Sequence, residues 1–343
     1  GLEYAAAGAA FGAVPGSLTG LVVLGGFYRY YKKQWRDEES ALPGAQLTPA
    51  RRLIKRLLLL ALPVSCANVI VPVTSSIDVL LVPKYLLAAG FSVKEATTQF
   101  GYLAGMAQPL LLMATIPTMS LATSLVPAVS EAMALKRWAL IEEKLATAMK
   151  LCCLITVPAA VGMSALAGPI SRLLYGTGEA AAAIMHSGPA IWFLGLQQVT
   201  TGMLQGMGHT NLPMLHMLAG IVAKLIAVCQ LTNAEYGIAG AAWATNINFG
   251  VTAALNILAL QYFKIKFHWL SICKIIFAAL IMGAAAQALH GLLAGFNYTL
   301  ATLAALAGAG VVYAALLPLL RIISVAELKQ LPLVKKLAQK LRK

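Results

Sequence analysis

Residues 51–82 read RRLIKRLLLLALPVSCANVIVPVTSSIDVLLV, a basic start followed by a long apolar run. The apolar part, Leu57–Val82, exceeds the roughly 20 residues that an α-helix needs to cross the hydrocarbon core of a bilayer. Basic residues at one end of such a run mark its cytoplasmic flank. This stretch therefore predicts a transmembrane helix that begins in the cytoplasm.

Eight further apolar runs occupy most of the rest of the chain. Apolar residues make up 59% of the sequence and charged residues 11%, whereas soluble domains carry about 25% charged residues. We therefore predict an all-α integral membrane protein, a polytopic bundle of about nine transmembrane helices. The predicted spans are Leu2–Phe27, Leu57–Val82, Phe100–Ser130, Leu145–Leu166, Ala182–Met207, Pro213–Leu231, Gly237–Gln261, Leu270–Leu289 and Thr299–Leu320.

The positive charge falls on alternate gaps between these runs. Most of the 26 Lys and Arg lie in or beside residues 28–56, 131–144, 262–269 and 321–343. Because positive loops stay in the cytoplasm, we expect loop 28–56 and the carboxyl end to be cytoplasmic. The net charge of +14 is spread by topology, which argues against nucleic acid as a partner and favours anionic membrane lipids. The residues that depart from the pattern are Lys84, Lys94, Arg172 and Lys224.

Composition marks one clear linker, the polar stretch 28–56. One predicted helix, residues 1–27, lies before this linker and eight lie after it. The tail 321–343 places apolar residues on one helical face and lysines on the other, as an amphipathic helix at the membrane surface does. A frayed basic tail is the alternative. Because the first residues already resemble part of a membrane helix, we expect the chain to be a fragment without its beginning.

Prolines are concentrated in two consecutive spans. Pro63 and Pro72 interrupt the second span, and Pro109 and Pro117 the third. Each proline removes a backbone hydrogen bond and bends its helix. Bent helices that line a cavity are typical of transporters, so we interpret these four residues as gating kinks. Static kinks that only serve packing are the alternative.

Two charged residues lie within predicted spans. Asp78 follows the polar run Thr74-Ser75-Ser76, and Lys224 lies near the middle of Pro213–Leu231. A charged group at the bilayer centre costs at least about 2.5–3.5 kcal/mol and marks a functional candidate. We interpret Lys224 as an anion site for a phosphate or acidic sugar and Asp78 as a cation- or proton-coupling residue. The alternative for Lys224 is a structural ion pair, perhaps with Asp78.

Amide and hydroxyl side chains occur in several spans. Some bridge helices, but together they predict an interior suited to sugars, and we name Gln197, Gln198 and Asn68 as substrate-binding candidates. The five cysteines have no metal or redox spacing and are interpreted as small core residues. No phosphate-binding loop, zinc helix or hydrolase elbow occurs. We therefore predict that the protein is not an enzyme and needs no cofactor beyond a coupling ion, Na+ or H+.

Three stretches carry a family resemblance: Ser75–Pro83, Gln205–Met214 and Gly220–Leu225. They resemble the stage V sporulation protein B / polysaccharide flippase family of Gram-positive bacteria. This family belongs to the multidrug, oligosaccharidyl-lipid and polysaccharide exporter superfamily, alongside the lipid II flippase. The resemblance extends over nearly the whole chain.

The resemblance implies two six-helix lobes with two extra helices at the end. Residues 1–27 then supply the last helix of a mostly missing first lobe, 28–56 the interlobe loop and 57–262 the second lobe. Asp78 matches the helix where relatives place a sodium-coordinating aspartate, so a Na+ ion at Asp78 is implied. Thr245 and Asn248 fall where the last helix of that lobe adds ligands.

From these features we predict a flippase for lipid-linked (undecaprenyl) oligosaccharides in the bacterial cytoplasmic membrane, working as a monomer. The transported precursor would be used in the synthesis of the cell wall, the spore cortex or a polysaccharide. A cation-coupled multidrug exporter is the first alternative, although the scarcity of acidic residues inside the spans argues against it. A membrane scaffold that transports nothing and recruits wall enzymes is the second.

Overall fold

The computed structural model describes residues 11, 13–40, 49–265, 269–295 and 297–322, with backbone only at residues 13, 33–40, 56–57, 59–68, 70 and 71. All regular elements in these ranges are helical. The helices are α1 (Ala13–Ser40), α2 (Ala50–Ala88), α3 (Val93–Gly101), a π-helical turn (Tyr102–Ala107), α4 (Gln108–Ala134), α5 (Trp138–Ala165), α6 (Ala167–Tyr175), α7 (Ala181–Gly206), α8 (Asn211–Leu231), α9 (Gly237–Tyr262), α10 (Trp269–Leu293) and α11 (Tyr298–Leu319).

Five helical stretches within the described ranges are long and apolar enough to cross a membrane, which makes this a multi-pass membrane protein. The predicted count of nine spans is not established by this measure. The five stretches are Val93–Ala134, Trp138–Ala165, Asn211–Leu231, Trp269–Leu293 and Tyr298–Leu319.

Within the described residues, the predicted linker 28–56 is helical at 28–40 and 50–56. Helix α1 continues to Ser40, and α2 begins at Ala50. Gln, Arg and Glu between residues 34 and 39 are good helix formers, so the helix outlasts its apolar part. An apolar run indicates where a helix leaves the lipid, but it does not indicate where the helix itself ends. The predicted tail helix lies outside the described residues, because the structure describes nothing from residue 323 onwards.

Contacts divide the chain into two compact units, Gly1–Leu58 and Leu59–Lys343. In the first unit, α1 carries aromatic residues on its later turns. The Phe27 and Tyr31 rings stack with centroids 6.3 Å apart, and the Lys32 ammonium lies 5.8 Å from the centre of the Tyr28 ring. Aromatic and basic residues together are typical of the membrane–water interface.

Helix α7 is the centre of the second unit, where it packs against α4, α5 and α9. Glycines at intervals of seven residues let its backbone approach its neighbours closely. A Cβ on Gly195 would lie 2.6 Å from Thr156 Cγ2 of α5, and one on Gly202 would lie 2.6 Å from the Ala122 carbonyl oxygen of α4. Close packing by small residues is how membrane helices associate.

Three more helix pairs pack together in this unit. Helix α8 packs against α9, and α10 packs against both α5 and α11. Ala301, Ala305 and Ala309, four residues apart on α11, are buried. Gly208 (φ 87°) follows the end of α7 and lies in the turn that leads into α8.

The helix before Pro109 contains an unpredicted π-helical turn. Pro109 has no N–H to give to the carbonyl four residues earlier. In the turn Tyr102–Ala107 the hydrogen bonds are one residue longer, and the Gln108 N–H donates to the Leu103 carbonyl. The apolar pattern also missed the short helix α3, whose first turn is capped by Ser92 and Glu95 through reciprocal hydrogen bonds.

Candidate functional site

A buried ion pair joins α2 to α8. The Lys224 Nζ lies 2.6 Å from Asp78 Oδ2, and the two side chains are only 3% and 4% exposed. At this depth neither charge reaches solvent, and each ion alone would cost several kcal/mol of desolvation. The sequence alternative of an Asp78–Lys224 pair is therefore confirmed as a contact.

The two helices place these side chains by simple periodicity. On α8, Lys224 shares a face with Gly220 and His216, since residues four apart lie above one another on a helix. Farther along, the Cys229 thiol donates a hydrogen bond to the Tyr85 hydroxyl over 2.9 Å, which is a second link between α8 and α2. Two side-chain contacts, the ion pair and the Cys229–Tyr85 hydrogen bond, therefore link α2 to α8.

The same face of α8 lies very close to α9 at Gly220. A Cβ there would stand 2.6 Å from Asn248 Oδ1 and 2.7 Å from the Asn248 carbonyl oxygen. Thr252, one turn further on α9, donates its hydroxyl to that carbonyl. The predicted coupling residue Asn248 thus lies against α8 one turn from Lys224.

A second polar network occupies the other end of this face. The His216 Nδ1 lies 2.7 Å from Asn256 Oδ1, and because an amide oxygen only accepts, the imidazole donates. The Asn256 amide donates in turn to the hydroxyls of Thr200 and Thr201 on α7, at 3.1 and 3.0 Å. We call His216, Asn256, Thr200 and Thr201 the His216 network. It links α7, α8 and α9, and the four-residue spacing of His216, Gly220 and Lys224 was the signal that sequence reasoning overlooked.

The residues around Asp78 do not fit a sodium ion in this arrangement. The Lys224 ammonium already occupies the carboxylate, and a second cation at the same oxygen would meet like charge in a medium of low dielectric constant. Within the described ranges, no group of three or more His, Cys, Asp and Glu side chains is placed to hold a metal. Thr245 is buried, and its hydroxyl donates to the Ala241 carbonyl of its own helix over 3.4 Å.

The predicted sugar-binding residues lie on α7 and α2. Gln197 is buried, and its Oε1 has no hydrogen-bond partner among the described residues. Gln198 Oε1 accepts a hydrogen bond of 2.6 Å from the Thr118 hydroxyl of α4. The side chain of Asn68 lies outside the described residues. Their role in binding remains a prediction.

The four gating prolines have different surroundings. Pro109 follows the π-helical turn, Pro117 lies within α4, and the carbonyl of Pro72 accepts a hydrogen bond of 3.0 Å from the Ser76 hydroxyl. Pro63 lies in a turn described by backbone only. Whether these positions move stays a prediction.

The cysteines differ from the interpretation as core residues at two positions. Cys152 and Cys153 are buried, but Cys229 and Cys273 are exposed. Cysteine is apolar enough to face lipid as well as protein, so its presence in a span does not decide which way it points. Cys66 lies in a segment described by backbone only.

Comparison with known proteins identifies relatives of this chain. The family model described as lipid II flippase MurJ matches residues 50–307. The uncharacterized membrane protein YabM of Bacillus subtilis (strain 168) is 30% identical over 288 residues, which are 82% of this chain and 52% of that protein. Stage V sporulation protein B of the same organism is 29% identical over 343 residues, 98% of this chain and 65% of that protein.

A solved structure has the same fold. The lipid II flippase MurJ in an inward closed conformation matches with a TM-score of 0.59 and 18% sequence identity, over 82% of this chain and 57% of that one. The chain spans between half and two thirds of the length of these two curated relatives.

Proposed function

Because this chain belongs to the lipid II flippase MurJ family, we propose that the protein moves lipid-linked oligosaccharide or peptidoglycan precursors across the bacterial cytoplasmic membrane by alternating access. The observation that carries the proposal is the family match over residues 50–307, a range that contains both Asp78 and Lys224. Undecaprenyl-linked sugars are the substrate class. Cell-wall, spore-cortex or polysaccharide synthesis consumes the product.

In this proposal residues 57–262 form the second lobe of the transporter. Residues 1–27 supply the last helix of the first lobe, 28–56 the connection between lobes, and 270–320 two additional helices. Residues 28–56 and the tail 321–343 lie in the cytoplasm, where their basic side chains contact anionic lipids. The protein acts as a monomer.

Lys224 is the group that attracts the phosphate of the substrate. A buried ammonium exchanges one anionic partner for another at less cost than it forms a new pair, because its desolvation is already offset in the resting state. Lys224 therefore leaves Asp78 for the phosphate, and Asp78 takes up a proton when its partner leaves. The unpaired Oε1 of Gln197 accepts from a sugar hydroxyl, and Gln198 and Asn68 contribute further hydrogen bonds.

Helix α4 supplies the bending that alternating access needs. Pro117 interrupts its hydrogen-bond ladder, and Pro109 follows a π-helical turn. Helix α2 bends at Pro63 and Pro72 in the same way. Membrane potential or a proton gradient drives the motion.

The test is flipping of a fluorescent undecaprenyl-linked sugar by the full-length protein in liposomes. We expect Lys224→Ala to abolish flipping and Lys224→Arg to retain part of it. Lys84→Ala is the matched control, because Lys84 is an exposed lysine on α2 and its loss leaves the pair intact. Flipping at the wild-type rate by Lys224→Ala contradicts the anion-site role. Movement of ethidium without movement of lipid-linked sugar establishes the multidrug alternative.

A further inference from the structure

The Asp78–Lys224 pair has the charge balance of a carboxylate with a bound monovalent cation. Each side chain carries one unit charge, and both are almost completely buried. A cation added to the intact pair brings an uncompensated positive charge into a region that solvent does not reach. A cation added after loss of the lysine instead neutralises a carboxylate that has no other partner.

We propose that Lys224 replaces a mobile cation at Asp78, so that the resting protein binds no sodium ion there. The ammonium is attached to the helix, and in the resting protein it therefore occupies the carboxylate at every salt concentration. A free ion at the same position is lost when its concentration falls. Lys224 thus determines which ion the site accepts, and the site admits Na+ only when this side chain is absent.

The surrounding residues agree with this inference. Asn248 lies one helical turn away against Gly220 and contributes a neutral amide rather than a second carboxylate. The Thr245 hydroxyl is directed to a carbonyl of its own helix. Within the described part of the chain, these predicted ligands add no negative charge that a second cation next to the ammonium would require. The inference depends only on this arrangement and holds whether or not the protein flips lipid-linked sugars.

The test compares thermal unfolding of the purified protein in sodium and in equimolar choline at one and the same pH. We expect sodium to change the unfolding temperature of the wild type and of Asp78→Asn by the same amount. In Lys224→Gln the freed carboxylate acquires a sodium site, and sodium raises the unfolding temperature by roughly 2–4 °C or more.

Two variants serve as controls. Lys224→Arg keeps a tethered cation and remains insensitive to sodium. The double variant Asp78→Asn/Lys224→Gln has no carboxylate and is insensitive as well. A sodium effect in the wild type that disappears in Asp78→Asn overturns the inference, and so does a folded Lys224→Gln protein that ignores sodium.

If Lys224→Gln does not fold in either salt, binding of radioactive sodium to the wild type and to Asp78→Asn decides the question. Equal binding by the two proteins supports the inference. Binding by the wild type that Asp78→Asn loses contradicts it. Because these measurements involve no lipid-linked sugar, their result is separate from that of the flipping assay.

Discussion

Helix α8 makes two polar contacts eight residues apart, a buried one at Lys224 and a partly buried one at His216, and they differ in chemistry. At Lys224 the contact is one ion pair with Asp78 of α2, and at His216 it is the His216 network, made of neutral groups from α7 and α9. The ion pair consists of two charged side chains, and removal of either one leaves the other without its partner. The network shares its hydrogen bonds among four side chains.

The difference concerns what happens when one member is lost. A charge left alone in a buried site keeps the full cost of its desolvation, whereas a hydroxyl or amide left alone loses only a modest hydrogen bond. We therefore expect the α2–α8 contact to be all-or-none and the α7–α8–α9 contact to weaken by degrees. The predictions below test this contrast.

The largest effect is expected for removal of one charge. Lys224→Met leaves Asp78 unpaired, and we expect a loss of about 3–5 kcal/mol in stability. The double variant Asp78→Leu/Lys224→Met removes both charges and should recover most of that loss. Thermal unfolding in detergent measures both. If Lys224→Met is as stable as the double variant, an unpaired Asp78 costs no stability. The ion pair would then not differ from the His216 network in this respect.

The next effect concerns Gly220, which lies between the two contacts. In Gly220→Ala the new Cβ meets Asn248 Oδ1 at 2.6 Å, and we expect a loss of about 1–3 kcal/mol as α8 and α9 separate. Gly20→Ala is the control, because nothing lies within 4 Å of its Cβ and alanine favours the helix. If Gly220→Ala unfolds at the wild-type temperature, the close approach of the two helices is not needed for stability.

A smaller effect is expected at Asn256, the centre of the His216 network. Asn256→Ala removes hydrogen bonds to three side chains, and at about 0.6 kcal/mol each in a membrane protein the loss is about 1–2 kcal/mol. The exposed Asn211 on α8 gives the control Asn211→Ala, for which we expect a change within about 0.5 kcal/mol. An Asn256→Ala loss as large as that of Lys224→Met would mean that neutral networks are as brittle as ion pairs here.

The smallest effect is expected for Thr201→Val, which removes one acceptor from Asn256. We expect about 0.6 kcal/mol from the single variant and close to zero when Asn256 is already alanine. A double-mutant cycle on unfolding temperature measures this coupling. Additive losses would show that Thr201 stabilises the protein through some other contact.

Much of the fold could be predicted because lipid imposes a length on apolar runs. Helices α7, α8, α9 and α11 begin and end within about two residues of their predicted bounds. The ends of α1 and α2 could not be predicted, because past the lipid boundary helix formation depends on propensity and capping rather than hydropathy. The glycines of α7 look unremarkable in sequence, since only the neighbouring helix shows that a Cβ has no room.

The sequence identified the residues of the candidate site, but it did not predict how they contact one another. A charge inside a span is conspicuous, so both Asp78 and Lys224 were identified. Their contact joins residues separated by 146 positions, and no local pattern encodes which helix faces which. For the same reason a sodium ion at Asp78 was inferred from resemblance, while the ammonium that occupies the carboxylate became visible only in three dimensions.

The π-helical turn Tyr102–Ala107 changes which neighbours the following helix meets. One surplus residue rotates everything after it by about 100° relative to a continuous α-helix. The sides of α3 and α4 that face the protein interior therefore do not lie on one straight stripe. Deleting a single residue from this turn would swing Thr118, with its hydrogen bond to Gln198, towards a different side of the bundle. In this protein one extra residue in a helical turn determines how the whole following transmembrane segment is rotated about its own axis.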